Sequence, residues 1–145
     1  MTIALAADHG GYELKNYLLD YLAAKGHTVL NLGTDSPESV DYPDYAVLCC
    51  EKVLSNSADF GIVVCGSGAG ISISANKIDG IRCGLCWSKE IAALVKQHNN
   101  ANVIALGGRL TSKEEAIEIV DAYMSAQYEG GRHQIRVDKI AALEK

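Results

Sequence analysis

The sequence predicts an α/β protein: one doubly wound, Rossmann-like domain spanning residues 1–145, a five-stranded parallel sheet with helices on both faces and a helix at the C-terminus. Three observations carry this. Five short apolar runs alternate with helical patterns, the signature of a parallel sheet covered on both sides. The third run, Phe60-Gly61-Ile62-Val63-Val64, passes directly into a glycine-rich loop, Cys65-Gly66-Ser67-Gly68-Ala69-Gly70, which passes into a helix start. The composition, 48% hydrophobic and 21% charged with two prolines and no low-complexity tract, suits a single core without linkers.

Residues 2–7 read as the first strand. Residues 11–24 read as a helix with Leu14, Leu18 and Leu22 on one face, ended by Gly26 in the manner of a C-cap. A second strand covers 28–32. A loop through Asp35-Ser36-Pro37 leads to a helix from about 43 to 55, whose first turn suits Pro43. The third strand, 60–64, is followed by a short helix from Gly70 and a fourth strand over 81–86. Ser88 caps a helix running to Gln97, and residues 103–106 form the fifth strand. Ser112 caps the next helix, to about Ala126. Beyond Glu129-Gly130-Gly131 a last helix runs from about 132 to 143. Right-handed crossovers and the usual order 2-1-3-4-5 place the switch point between strands one and three. Ligands bind there, beyond the C-terminal strand ends, so Asp8-His9-Gly10-Gly11 is expected beside the Cys65 loop.

Charge and hydropathy exclude several classes. A net charge of −5 without a basic stripe argues against a nucleic-acid partner. No apolar stretch approaches the ~20 residues that span a bilayer, so no membrane partner is expected. The N-terminus lacks the basic region of a signal peptide, and a cytoplasmic protein is the expectation. Five cysteines, Cys49, Cys50, Cys65, Cys83 and Cys86, show no disulfide framework. Cys83-Gly84-Leu85-Cys86 matches C-x-x-C, but on a strand residues three apart face opposite sides, and further zinc ligands are not evident. Cys83 and Cys86 therefore read as small core residues.

The chemistry concentrates at the Cys65 loop. Loop N–H groups and the first turn of the following helix direct partial positive charge at one point, so the loop can hold an anionic oxygen. A thiol at its mouth is placed where thiolate is favoured. The loop is not the dinucleotide fingerprint, which follows the first strand with different spacing. It lacks the Walker lysine, and the serine-hydrolase elbow fails at Cys65. Judged locally, Asp8-His9 could be a helix cap and His98-Asn99-Asn100 a helix stop. Beside the Cys65 loop, Asp8-His9 reads instead as part of the site. Arg132 and Arg136, four residues apart, share one helical face and could fork onto a phosphate.

These motifs, with Asp41-Tyr42-Pro43, Ala75-Asn76-Lys77, Gly80-Ile81-Arg82 and the run from Gln127 to Val137, resemble from end to end the ribose-5-phosphate isomerase B family. That family also includes allose-6-phosphate and galactose-6-phosphate isomerases. The resemblance implies an aldose–ketose isomerase acting on a small sugar phosphate, without metal or organic cofactor. It implies Cys65 as the base between C2 and C1, and Ser67 with the N–H groups of Gly66, Gly68, Ala69 and Gly70 around the enediolate oxygen. It implies His98 as the ring-opening acid with Asp8 nearby, Asn99 on sugar hydroxyls, and His9, Arg109, Arg132 and Arg136 on the phosphate. Ser67 stands where many relatives have threonine, which keeps the hydroxyl. Some relatives use a carboxylate a few residues later, but 72–75 holds no acid, so Cys65 is the candidate base. Pentose and hexose phosphates, and a non-catalytic phosphosugar-binding module, stay open. His98 precedes strand five, whereas Asp8 and Cys65 leave the other end of the sheet. A strand of ~5 residues spans roughly 17 Å. A homodimer or dimer of dimers with shared sites is therefore expected.

Overall fold

The alternation resolves into five strands and six helices in the computed structural model, which describes residues 1–144. They are β1 (Thr2–Ala7), α1 (Tyr12–Ala24), β2 (Thr28–Asn31), α2 (Tyr42–Leu54), β3 (Phe60–Cys65), α3 (Ala69–Asn76), β4 (Cys83–Leu85), α4 (Lys89–Gln97), β5 (Val103–Gly107), α5 (Lys113–Ser125) and α6 (Arg132–Ala141). The helix ends have local causes. Ser88 accepts the Ile91 N–H to start α4, and Ser112 with Glu115 forms a reciprocal capping box on α5. Gly26, at φ +91°, turns the chain out of α1 while the His27 N–H reaches back to the Leu22 carbonyl. Among the described residues no helix is long and apolar enough to cross a membrane.

All strand pairs are parallel, and the order is β2-β1-β3-β5-β4. This corrects the expected 2-1-3-4-5: β5 lies beside β3, and β4 is the edge. Burial accounts for the exchange. The Val-Ile-Ala-Leu-Gly run of β5 is buried throughout and needs neighbours on both sides, whereas all three residues of β4 are half-exposed. Handedness agrees. The step from β4 back to β5 reverses direction along the sheet, so a right-handed crossover carries α4 to the face opposite α3. The two cores show this. Leu14, Leu18 and Leu22 of α1 pack with Ala92 and Val95 of α4 and Ala116, Ile119 and Val120 of α5. On the other face Ala46, Cys49, Cys50 and Val53 of α2 pack with Ile71 and Ala75 of α3.

Leu18 has no exposed surface. Burying such a side chain is worth about 1.5–3 kcal/mol, and Leu18→Ala would cost ~2–5 kcal/mol once the cavity is counted. Cys86 belongs to the first core, while Cys83 packs against the second, as their alternation on a strand requires. Lys15 is buried completely, and its ammonium donates to Asn31 Oδ1 at 2.6 Å and Asp35 Oδ1 at 2.7 Å. That cluster ties α1 to the chain leaving β2, next to the switch point.

Candidate active site

Three loops meet at the C-terminal ends of β1, β3 and β5. The Asp8 N–H donates to the Val64 carbonyl at 3.1 Å, the Gly108 N–H to the Cys65 carbonyl at 2.8 Å and the Arg109 N–H to the Gly66 carbonyl at 3.0 Å. Glycines make this proximity possible. A Cβ on Gly10 would stand 2.9 Å from Gly66 N, and one on Gly108 would stand 2.6 Å from the Gly10 carbonyl oxygen. Gly68, the N-cap of α3, sits at φ +81°, a conformation that side chains other than glycine rarely adopt.

The Cys65 side chain stands on the last residue of β3, only 4% exposed, and its sulfur accepts the Gly68 N–H at 3.2 Å. Ser67 Oγ accepts the Ala69 N–H at 3.2 Å. The N–H groups of the first turn of α3 have no intrahelical acceptor, as at any helix start. Asp8 is nearly buried, and its Oδ1 accepts the Gly10 N–H at 2.8 Å. The Arg109 guanidinium lies against Gly66 and Gly10. Asp8, Cys65, Ser67 and Arg109 line an open cavity of about 470 Å³ together with Gly66 and Gly70, and ligand pockets commonly fall between ~300 and 1,000 Å³. His9, next in the chain to Asp8, accepts the Val40 N–H on its Nδ1 at 3.2 Å.

Two wall residues were not singled out by sequence reasoning. Tyr42, the first residue of α2, packs so close to α3 that a Cβ on Gly70 would stand 2.6 Å from its ring. Leu110, 75% exposed, forms part of the same wall. The Asp41-Tyr42-Pro43 motif was the available signal, because a proline in the first helical turn fixes where the preceding side chain stands. Nothing in the sequence marks Leu110.

The other cysteines have no such setting. Burial pushes Cys50 up to about 11 and Cys86 up to about 12, and holds Cys49 and Cys83 well above the ordinary thiol range. They stay protonated and unreactive at neutral pH. Among the described residues every cysteine is free.

The remaining candidates lie elsewhere. Gly61 pairs with Val103 and Cys65 with Gly107, so Cys65 is level with the far end of β5 from His98, the C-cap of α4. The Arg82 guanidinium holds this corner, its Nε donating to the Asn99 carbonyl and its Nη2 to the Asn100 carbonyl, both at 2.9 Å. The His98 ring stacks on that of His133 with centroids 4.2 Å apart. Arg132 and Arg136 stand exposed on α6. A second cavity, about 660 Å³, opens between β4 and α6 with Asn99 in its wall. It is larger and carries Lys77, Asp79 and Arg82 in its wall, but its thiol is the protonated Cys83, and it lies away from the C-terminal strand ends at the switch point. One chain therefore presents two separate groups: Asp8, Cys65, Ser67 and Arg109 in one place, His98, Asn99, Arg132 and Arg136 in another.

Comparison with known proteins places this geometry. Residues 3–140 match the Ribose/Galactose Isomerase family. Ribose-5-phosphate isomerase B of Escherichia coli is 47% identical over 143 residues, covering 99% of this chain and 96% of that protein. A ribose 5-phosphate isomerase of Thermotoga maritima superposes with a TM-score of 0.96 at 50% identity, over 97% of both chains. Ribose-5-phosphate isomerase B of Mycoplasma genitalium, solved with bound ribulose-5-phosphate, superposes at 0.93 with 43% identity, over 98% of this chain and 95% of the other.

Proposed function

This chain belongs to the ribose/galactose isomerase family, and from that premise we propose that it interconverts ribose 5-phosphate and ribulose 5-phosphate with Cys65 as the base. The observation that carries the reading is the setting of Cys65: its sulfur faces an N–H at the start of α3, inside a cavity that also holds Asp8 and Arg109. Of the five thiols, it is the one at the switch point of the sheet.

The reaction follows from that placement. The furanose opens when its ring oxygen takes a proton from His98 and the anomeric hydroxyl gives one to Asp8, leaving C1 an aldehyde. The Cys65 thiolate removes the proton on C2. The electron pair moves into a C1–C2 double bond, and negative charge settles on the C1 oxygen. The Ser67 hydroxyl and the N–H groups of Gly66 to Gly70 meet that oxygen, an arrangement in which one donor is worth ~10²–10³ in rate. Cys65 returns the proton to C1, the C2 hydroxyl proton passes to the C1 oxygen, and a ketone remains at C2. His9, Arg109, Arg132 and Arg136 hold the phosphate, which undergoes no chemistry and orients the reacting carbons. Asn99 holds sugar hydroxyls.

His98 lies at the opposite end of the sheet from Cys65, so the site is completed by a second copy of the chain. In this reading the partner supplies His98, Asn99, Arg132 and Arg136 to each Cys65 crevice, in a homodimer or a dimer of dimers. Cytoplasmic location accompanies the proposal, since free cysteines persist in reducing compartments.

The test is the ratio of kcat/KM for ribose 5-phosphate to that for allose 6-phosphate and galactose 6-phosphate, measured with a chelator present. A strong preference for the pentose, undiminished by the chelator, is expected. Preference for either hexose, or no turnover of any of the three, would refute the reading.

A further inference from the structure

His133 has no part in the reaction as derived, yet its ring is the surface on which His98 rests. We propose that Glu129 and His133 are positioning residues for His98, fixing the plane and the edge of its imidazole for ring opening; this rests on the reading of His98 as the ring-opening acid.

His98 closes α4, and its side chain is 40% exposed. An imidazole on a helix end would ordinarily turn freely about its last torsion, a broad and roughly two-fold rotor. Three contacts oppose that freedom. The His133 ring is stacked on it at 4.2 Å and tilted by 13°. Glu129 Oε1 stands 3.9 Å from His98 Nε2 and 3.4 Å from His133 Nε2, so a single carboxylate oxygen faces the same edge of both rings. The Glu129 N–H donates to the Gln97 carbonyl at 3.0 Å, tying that carboxylate to the last turn of α4. The support is itself anchored. His133 is only 8% exposed, and its N–H donates to the Gly130 carbonyl. Gly130 and Gly131, at φ +66° and +57°, make the turn that returns the chain under His98.

The same three side chains lie within 4.8 Å of one another, which invites a metal reading. The stack argues against it. Lone pairs of parallel rings lie in parallel planes and do not converge on one ion, as tetrahedral or octahedral coordination requires. A flat buried face with a charge along one edge orients an imidazole, and misplacement by ~1 Å is enough to lower turnover ~10²-fold.

The experiment separates ring opening from enolisation. Ribulose 5-phosphate has no furanose form, because C5 carries the phosphate. Wash-in of solvent deuterium at its C1, followed by NMR, therefore requires Cys65 but no ring chemistry. Glu129→Gln keeps size on an exposed side chain and should fold. It should lower turnover of ribose 5-phosphate by up to ~10²-fold and leave deuterium wash-in at the wild-type rate. His133→Phe retains a flat buried ring and should keep more turnover than His133→Ala. Should His133→Ala fail to fold, Glu129→Gln alone decides the question. If His98→Ala loses turnover while Glu129→Gln keeps it, the proposal is overturned and the reading of His98 stands. If Glu129→Gln lowers turnover and wash-in together, the residue supports the fold or the whole site, and the proposal is overturned. If His98→Ala itself keeps turnover, the reading of His98 fails.

Discussion

Replacing Cys65 with alanine separates chemistry from packing, because one is read in turnover and the other in melting temperature. The substitution removes one sulfur atom from a nearly buried position and leaves Cβ in place. Deleting a buried group of about methyl size costs ~1 kcal/mol. The buried Gly68 N–H also loses its acceptor, which adds about 1–3 kcal/mol. Against a total stability of ~5–15 kcal/mol, the chain stays folded. Loss of a general base lowers rate by ~10²–10⁴, equivalent to ~3–5 kcal/mol of barrier at ~1.4 kcal/mol per tenfold. Cys65→Ala should thus melt about 8–16 °C below wild type while kcat falls at least ~10²-fold. Formation of the ketose from ribose 5-phosphate, and deuterium wash-in at C1 of ribulose 5-phosphate, measure the chemistry. Both should fail together. Cys83→Ala, which removes a thiol held protonated by burial, should leave both near wild type. Retention by Cys65→Ala of more than about a tenth of wild-type kcat, well outside the range for a general base, would refute the assignment.

Mixing Cys65→Ala with His98→Ala, each inactive alone, should restore up to about half the sites of a 1:1 heterodimer after subunit exchange, since a two-fold dimer has two equivalent shared sites; no recovery despite proven exchange would exclude sharing. Arg132→Ala and Arg136→Ala should each raise KM strongly, with some loss of kcat as orientation is lost; wild-type kinetics in both would move the phosphate elsewhere. The hydrogen bond from Lys15 holds the Asp35 carboxyl below the usual carboxylate range. A carboxylate whose value is depressed by folding contributes stability that is full above its unfolded value of ~3.9 and is lost as pH falls below it. The wild-type melting temperature should therefore drop more steeply between neutral pH and pH ~3 than that of Asp35→Asn, and parallel curves would show that the pair contributes nothing.

The sheet, the helices on both faces and the Cys65 crevice were legible because hydrophobic periodicity reports directly on burial. The Ser88 and Ser112 caps and the Gly26 stop were found for the same local reasons. The strand order was not legible. Periodicity records that a strand is buried but not beside which neighbour, and the exchange of β4 and β5 shows only in the half-exposure of Cys83-Gly84-Leu85. That exchange matters for the site. With β5 beside β3, Arg109 follows directly into the Cys65 crevice, whereas the expected order would have set its loop two strands away. Family resemblance, not spacing, had pointed to Arg109. His98 was placed correctly at the far end of β5, but its stack on His133 depends on the turn at Gly130-Gly131, which no local pattern encodes.

The order β3-β5-β4 also carries a consequence for assembly of the chain. Among the described residues β4 pairs only with β5, so it has no ladder to join until residues 103–107 arrive. During synthesis from the N-terminus, β1, β2 and β3 can pair while β3 keeps an open edge and β4 waits unpaired. Closing that gap requires the long-range contacts that make folding slow. The Gly108 and Arg109 bonds that seal the crevice form only then. A chain ending at Cys86 should hold the first three strands yet leave β4 without protection from hydrogen exchange, with the Cys65 loop missing the wall that fixes it. The reactive corner would be among the last parts of the molecule to take shape.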